Sequence, residues 1–148
     1  MMDQDQTLQI VEDLWEDWYV AGLKDFIRIP NLSVLYDPDY QTNGLLEQAM
    51  ECVDEYANRL GIEGLSRQVF KGEGQNPLIV YVVEPTEGQT KNVMLYGHLD
   101  KMPYDEPWSE GLSPTEPVIK DGRMYGRGSS DDGYAAFSCL LAVKAAQA

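Results

Sequence analysis

Two stretches of this chain carry residue types that can do chemistry: Gly97-His98-Leu99-Asp100, and Gly126-Arg127-Gly128-Ser129-Ser130-Asp131-Asp132-Gly133. His98 is the only histidine. An imidazole and a carboxylate two positions apart suit a metal ligand and its orienting partner. The carboxylate takes one ring N–H and leaves the other nitrogen free for an ion. The tetrapeptide follows the apolar run Val93-Met94-Leu95-Tyr96, and ligands of open α/β sheets gather beyond the carboxyl ends of strands. A hydrogen-bonded surface pair fits the same His-x-Asp spacing. In the second stretch, the two oxygens of Asp131 allow it to bridge a pair of metal ions, which sit roughly 3.5–4 Å apart where they clamp a reacting water. Ser129 to Asp132 also reads as an ordinary N-terminal helix cap with charge that favours the helix dipole. It is not a phosphate loop, since Gly-Lys-Ser/Thr is missing at the helix start. Zinc takes about four ligands per ion, so one histidine and a few aspartates do not fill two shells unaided.

The elements that must position these residues are legible from periodicity. Residues 5–28 form a helical pattern, with Leu8, Val11, Trp15, Trp18, Leu23, Phe26 and Ile27 on one face and Pro30 ending it. A second helix carries the stripe Leu46, Ala49, Val53, Tyr56 and Leu60. Thr42 or Asn43 is placed to cap its start, and Gly61 lies just past its end. The period then changes. Leu65 to Phe70 reads as a strand, and Gly72 and Gly74 as a turn. Leu78 to Val83 reads as a strand buried on both faces, and Val93 to Tyr96 as another buried strand. Residues 101–117 hold four prolines and form a long loop. Asp121-Gly122 between Val118-Ile119 and Met124-Tyr125 signals a hairpin. Asp131 to Gln147 reads as an apolar helix. Two helices, a run of strands and a final helix predict an α/β domain with a mixed sheet flanked by helices.

Composition limits the partners. The 148 residues suffice for one domain with a core. The formal charge is −14, from 25 acidic against 11 basic residues. That excess repels phosphate backbones and anionic membrane surfaces, which argues against nucleic-acid and membrane partners. Cys52 and Cys139 stand far apart on helix faces and read as reduced thiols. The polar, acidic N-terminus is no signal peptide, and no apolar run reaches membrane-spanning length, so a soluble cytoplasmic protein is expected.

The series Gly97-His98-Leu99-Asp100, Trp108, Pro117 through Gly128, and Asp131-Asp132-Gly133 resembles the zinc exopeptidases that include carnosinase-type dipeptidases, glutamate carboxypeptidase, aminoacylase and succinyl-diaminopimelate desuccinylase. The likeness in order and spacing covers about residues 90–145. It implies that His98 binds one zinc and that Asp131 bridges two. It also implies that Asp100, a catalytic-site residue, hydrogen-bonds the His98 ring, and that the Asp131-Asp132 peptide bond is cis. Two Zn2+ ions per complete site are expected, with Co2+ or Mn2+ as substitutes. The reaction implied is metal-dependent hydrolysis of an amide bond in a dipeptide or small peptide, or of an N-acyl amino acid as the alternative within the family. Many relatives have Lys-Gly after the paired aspartates where Gly133-Tyr134 stands here, which leaves the substrate open.

The family's Glu-Glu pair, which supplies the general base and one ligand, and its later acidic and histidine ligands are not in this chain. Glu47, Glu51, Glu55, Glu73, Glu84 and Glu87 lie on helix faces or before the His98 motif. Residues 1–148 are therefore expected to be the N-terminal part of the catalytic domain, without the lid or dimerisation domain and the C-terminal catalytic part. On that reading the chain alone is inactive, and a homodimer belongs only to a full-length form. A catalytically inactive truncated product is the other reading.

Overall fold

The structure is a computed structural model that describes residues 3–85, 88–104 and 107–147. Helix α1 (Gln4–Leu14) is capped by Asp3, whose carboxylate accepts from the amides of Asp5 and Gln6. The expected single helix over 5–28 is interrupted by a π-helical turn at Trp15–Val20 before α2 (Ala21–Arg28). The amide of Ala21 reaches back to the Glu16 carbonyl, five residues earlier. The cause is visible in the apolar spacing: Trp18 and Leu23 are five apart, and the extra residue in the turn keeps both on the core face. Leu8 and Trp15, expected on that face, are exposed instead.

Helix α3 (Leu45–Leu60) buries Leu46, Ala49, Val53, Tyr56 and Leu60 as its stripe predicts. Asn43 Oδ1 accepts from the Leu45 amide, and Gly44 and Gly61 flank the helix with left-handed φ of 72° and 57°. Strands β1 (Leu65–Phe70) and β2 (Leu78–Val83) pair antiparallel, Leu65 opposite Val83 and Phe70 opposite Leu78. β3 (Val118–Lys120) and β4 (Arg123–Tyr125) form the expected hairpin, turning at Asp121 and Gly122 with φ of 52° and 72°. α4 (Gly133–Ala146) closes the described chain.

The α/β class holds, and its sheet component takes the form of two separate two-stranded antiparallel pairs. Parallel pairing occurs only as a single bridge between Leu32 and Lys101 among the described residues. β2 is not buried on both faces: Leu78 is 55% and Val82 39% exposed, because nothing described covers that side. The Val93–Tyr96 run has no ladder partner among the described residues and exposes Met94 to 90%. No described helix is long and apolar enough to cross a membrane. Cys52 and Cys139 are free, and burial pushes the Cys52 thiol up to about 11.

The core is therefore helical. Phe137 of α4 and Phe26 of α2 are fully buried, and Trp18, Tyr56 and Phe26 each pack edge-on against Phe137 with ring centroids 5.8–6.3 Å apart. Two glycines make this crossing possible. A Cβ on Gly22 would lie 2.6 Å from the Phe137 ring, and one on Gly133 would lie 2.0 Å from the Phe26 ring. Each helix thus gives up a side chain where the other inserts a phenyl group.

The end of α2 is closed by a distant residue. Lys101 is 1% exposed, and its Nζ donates to the carbonyls of Phe26 at 2.7 Å, Ile29 at 2.6 Å and Ile27 at 3.4 Å. The final carbonyls of a helix lack partners within it, and here an ammonium supplies them while lying 4.2 Å from the centre of the Phe26 ring. Burial pulls the Lys101 ammonium down toward about 7, and the three carbonyl acceptors oppose that by favouring the charged form.

Two consequences can be measured. Gly133→Ala forces the Phe26 ring out of place, and overpacking of this kind costs about 1–3 kcal/mol. A fall in Tm of roughly 3–9 °C is expected for a chain of this size, and an unchanged Tm would contradict the close approach. Lys101→Met leaves the α2 carbonyls without their donor, at about 3 kcal/mol or more. Urea unfolding should show a lower midpoint with the same slope.

Candidate metal centre

The segment leaving α2 runs beside the His98 stretch and fixes its path. Asn31, fully buried, donates from Nδ2 to the Leu99 carbonyl at 2.7 Å. The Ser33 amide donates to the Lys101 carbonyl at 2.8 Å. On the other side lies the start of α4. A Cβ on Gly97 would stand 2.9 Å from the Ala135 Cβ, so glycine is needed for the His98 segment to approach the helix. Gly128, with φ of 90°, lets the loop before α4 pass against the Lys101 stem and the Phe26 ring. The two stretches singled out by their chemistry are thereby brought together, 33 positions apart in sequence.

His98 and Asp131 converge: the ring Nε2 is 3.2 Å from Asp131 Oδ1. The other ring nitrogen, Nδ1, is 3.1 Å from both the carbonyl oxygen and Oδ1 of Asp100. Asp100 thus stands behind the ring, as its sequence spacing predicts. The Asp131-Asp132 peptide bond is cis, also as expected. Asp131 does not turn back onto its own helix as a simple cap would; its carboxylate faces the imidazole and is 71% exposed. Asp132 occupies the capping position of α4, yet its side chain makes no capping bond there, and its Oδ2 instead accepts from the His98 amide at 3.2 Å.

The donor set fits part of a zinc shell. Metal bonds of about 2.0–2.2 Å at a tetrahedral angle put two ligand atoms roughly 3.3 Å apart, close to the 3.2 Å between Nε2 and Oδ1. Among the described residues no group of three or more His, Cys, Asp and Glu is gathered to hold an ion. Glu47, Glu51, Glu55, Glu73 and Glu84 do not join His98, and Glu87 lies outside the described residues. Sequence reasoning missed Asn31, Lys101 and Asp132. Only Asp132 carried a signal, and it was indistinguishable from an ordinary helix cap.

The electrostatics centre on the imidazole. Partial burial pulls the His98 pKa down. Its hydrogen bond to the Asp100 carbonyl and the charges of Asp100, Asp131 and Asp132 outweigh that, so the net shift is upward.

Comparison with known proteins gives a consistent picture. The profile described as Peptidase family M20/M25/M40 matches residues 94–148. An uncharacterized metallohydrolase of Methanocaldococcus jannaschii is 32% identical over 127 residues, 81% of this chain and 30% of its own length. The Beta-Ala-His dipeptidase of Homo sapiens is 30% identical over 145 residues, 92% of this chain and 28% of its own. The acetylornithine deacetylase of Myxococcus xanthus is 35% identical over 100 residues, 64% of this chain and 26% of its own. The chain thus spans under a third of the length of each relative.

Because His98 is the only histidine, its ring resonances are unambiguous in NMR. The metal-free protein should titrate above the usual ~6.5. A pKa raised on folding means that protonated His98 stabilises the fold at low pH and that this contribution fades as pH rises through the raised value. Asp100→Asn should bring the midpoint down. A midpoint at or below ~6.5 in the unaltered protein would show that the carboxylates do not hold the ring as described.

Proposed function

We propose, from the match of residues 94–148 to the profile of peptidase family M20/M25/M40 and the likeness to its metallohydrolase and dipeptidase relatives, that residues 1–148 form the N-terminal part of the catalytic domain of a metal-dependent hydrolase acting on dipeptides or other small peptides. The observation that carries this reading is the 3.2 Å approach of His98 Nε2 to Asp131 Oδ1, with Asp100 behind the ring. Without an ion, an N···O contact of that length is held by a proton shared between the two atoms. A metal ion would take the place of that proton, with His98 and Asp131 as ligands and the second Asp131 oxygen available to a further ion. Zinc is the metal we assign, on the nitrogen and carboxylate donors.

When bound, such ions polarise the scissile carbonyl and lower the pKa of water. The residues of this chain have distinct duties around them. Asp100, by accepting from Nδ1–H, fixes the tautomer that leaves Nε2 to the ion and raises its basicity. Asp131 supplies charge at the mouth of the site, where its exposure leaves room for substrate. The remaining ligands and the group that takes the proton from water are assigned to the part of the relatives' length that these residues do not span. A cytoplasmic location is part of the same proposal. Similarity to the acetylornithine deacetylase favours a second reading, hydrolysis of an N-acyl amino acid at the same centre.

The 148 residues by themselves should turn over no dipeptide with zinc, cobalt or manganese added; turnover abolished by His98→Ala would overturn the division of labour proposed. Within a completed catalytic domain, a panel of dipeptides and N-acetyl amino acids separates the two substrate readings. His98→Ala or Asp131→Ala should lower kcat at least ~10³-fold, and Asp100→Asn about 10–100-fold. Unaltered rates in the His98 variant would sink the metal reading.

A further inference from the structure

The geometry points to Asp132 as a positioning residue that holds the His98 donor nitrogen in register with the Asp131 carboxylate. The inference rests on the reading of His98 and Asp131 as metal ligands. It begins from an irregularity at the start of α4. An aspartate at the capping position ordinarily accepts from the first amides of its own helix. Asp132 makes no such bond. Its Oδ2 accepts instead from the backbone amide of His98, 34 positions earlier. The helix start forgoes its usual cap so that one side chain can hold the neighbouring His98 segment.

The arrangement around His98 shows what that contact does. The ring is held at both nitrogens, by Asp100 on Nδ1 and Asp131 on Nε2. Neither of these fixes where the His98 backbone sits relative to α4. Asp100 travels with the same loop, and Asp131 reaches the ring by an exposed side chain. The Asp132 bond links the backbone of one donor residue directly to the residue following the other. Gly97 permits it: its missing Cβ would sit 3.5 Å from Asp132 Oδ2 and 2.9 Å from the Ala135 Cβ. Two donors borne on separate elements must keep a fixed separation to share an ion. Here that separation is set by a carboxylate that touches no ligand atom of His98.

Asp132→Ser separates this role from a general effect on folding. Serine caps a helix well but is too short to reach the His98 amide. Asp132→Asn keeps an acceptor oxygen of the same reach and removes only the charge. Zinc chloride titrated into the metal-free 148-residue chain, against a chromophoric chelator, should bind about 10–100-fold more weakly to the serine variant. The asparagine variant should stay within about threefold of the unaltered chain, and all three should melt within a few degrees of one another. Hydrogen exchange at the His98 amide provides a metal-free readout: slow in the unaltered and asparagine proteins, and about tenfold or more faster with serine. Zinc affinity unchanged by Asp132→Ser, or lowered equally by Asn and Ser, overturns the inference. His98→Ala run beside them keeps the premises apart. If it binds zinc as the unaltered chain does, the metal reading itself has failed. If it loses zinc while Asp132→Ser does not, only the role of Asp132 has failed.

Discussion

The ammonium of Lys101 is the contact through which the helical core and the reactive loop become one structure. It lies one residue beyond Asp100 in the chain and donates to carbonyls at the end of α2, more than 70 positions earlier. A helix terminus buried without partners would be costly, and so would a lysine buried without acceptors. Each removes the other's penalty. The path of residues 97–101 follows from that pairing together with Asn31 and Ser33, and the place of His98 follows from the path. Gly128 then packs on the Lys101 stem, so the loop leading to Asp131 is referred to the same anchor.

The distribution of apolar surface complements this picture. Helices α2, α3 and α4 share an interior built around Phe26 and Phe137, whereas β2 and the run from Val93 to Tyr96 leave large side chains in solvent. A segment with four apolar residues and no ladder partner among the described residues offers both its backbone and its side chains to another strand. The centre described above sits where the buried helical interior meets the end of that exposed run.

Much of this could be read from residue order. The α3 stripe, the Asp121-Gly122 hairpin and the α4 helix follow local rules of period and turn chemistry, so local sequence suffices for them. His98, Asp100 and Asp131 were legible as a set because their spacing matched a family pattern, not because any one of them was unusual. The π-helical turn at Trp15–Val20 was signalled by a five-residue gap in the apolar stripe that a three-and-four pattern absorbs too easily. Lys101 and Asp132 were opaque for a different reason. Their partners are 72–75 and 34 positions away, and a lysine in a proline-rich loop or an aspartate before a helix has a sufficient local explanation. The strand assigned to Val93–Tyr96 failed in the opposite direction: its composition is right for a strand, but a ladder needs a neighbour.

The crossing of α2 and α4 has a consequence for how this protein can change over evolutionary time. Gly22 faces the Phe137 ring and Gly133 faces the Phe26 ring, so the two positions in each pair are not independent characters. A larger residue at Gly133 is accommodated only after the Phe26 ring has shrunk, and one at Gly22 only after both Phe137 and the Tyr56 ring, 2.8 Å from the added Cβ, have given way; a smaller ring leaves a void until the glycine has grown. Every single step from this arrangement passes through a less stable sequence, although the double exchange restores the filled volume. Such pairs are inherited together, and they should appear as correlated columns when homologous chains are aligned. Because Gly133 opens the helix that follows directly on Asp131 and Asp132, this epistasis ties drift in the hydrophobic interior to the one place where the surface chemistry tolerates little movement.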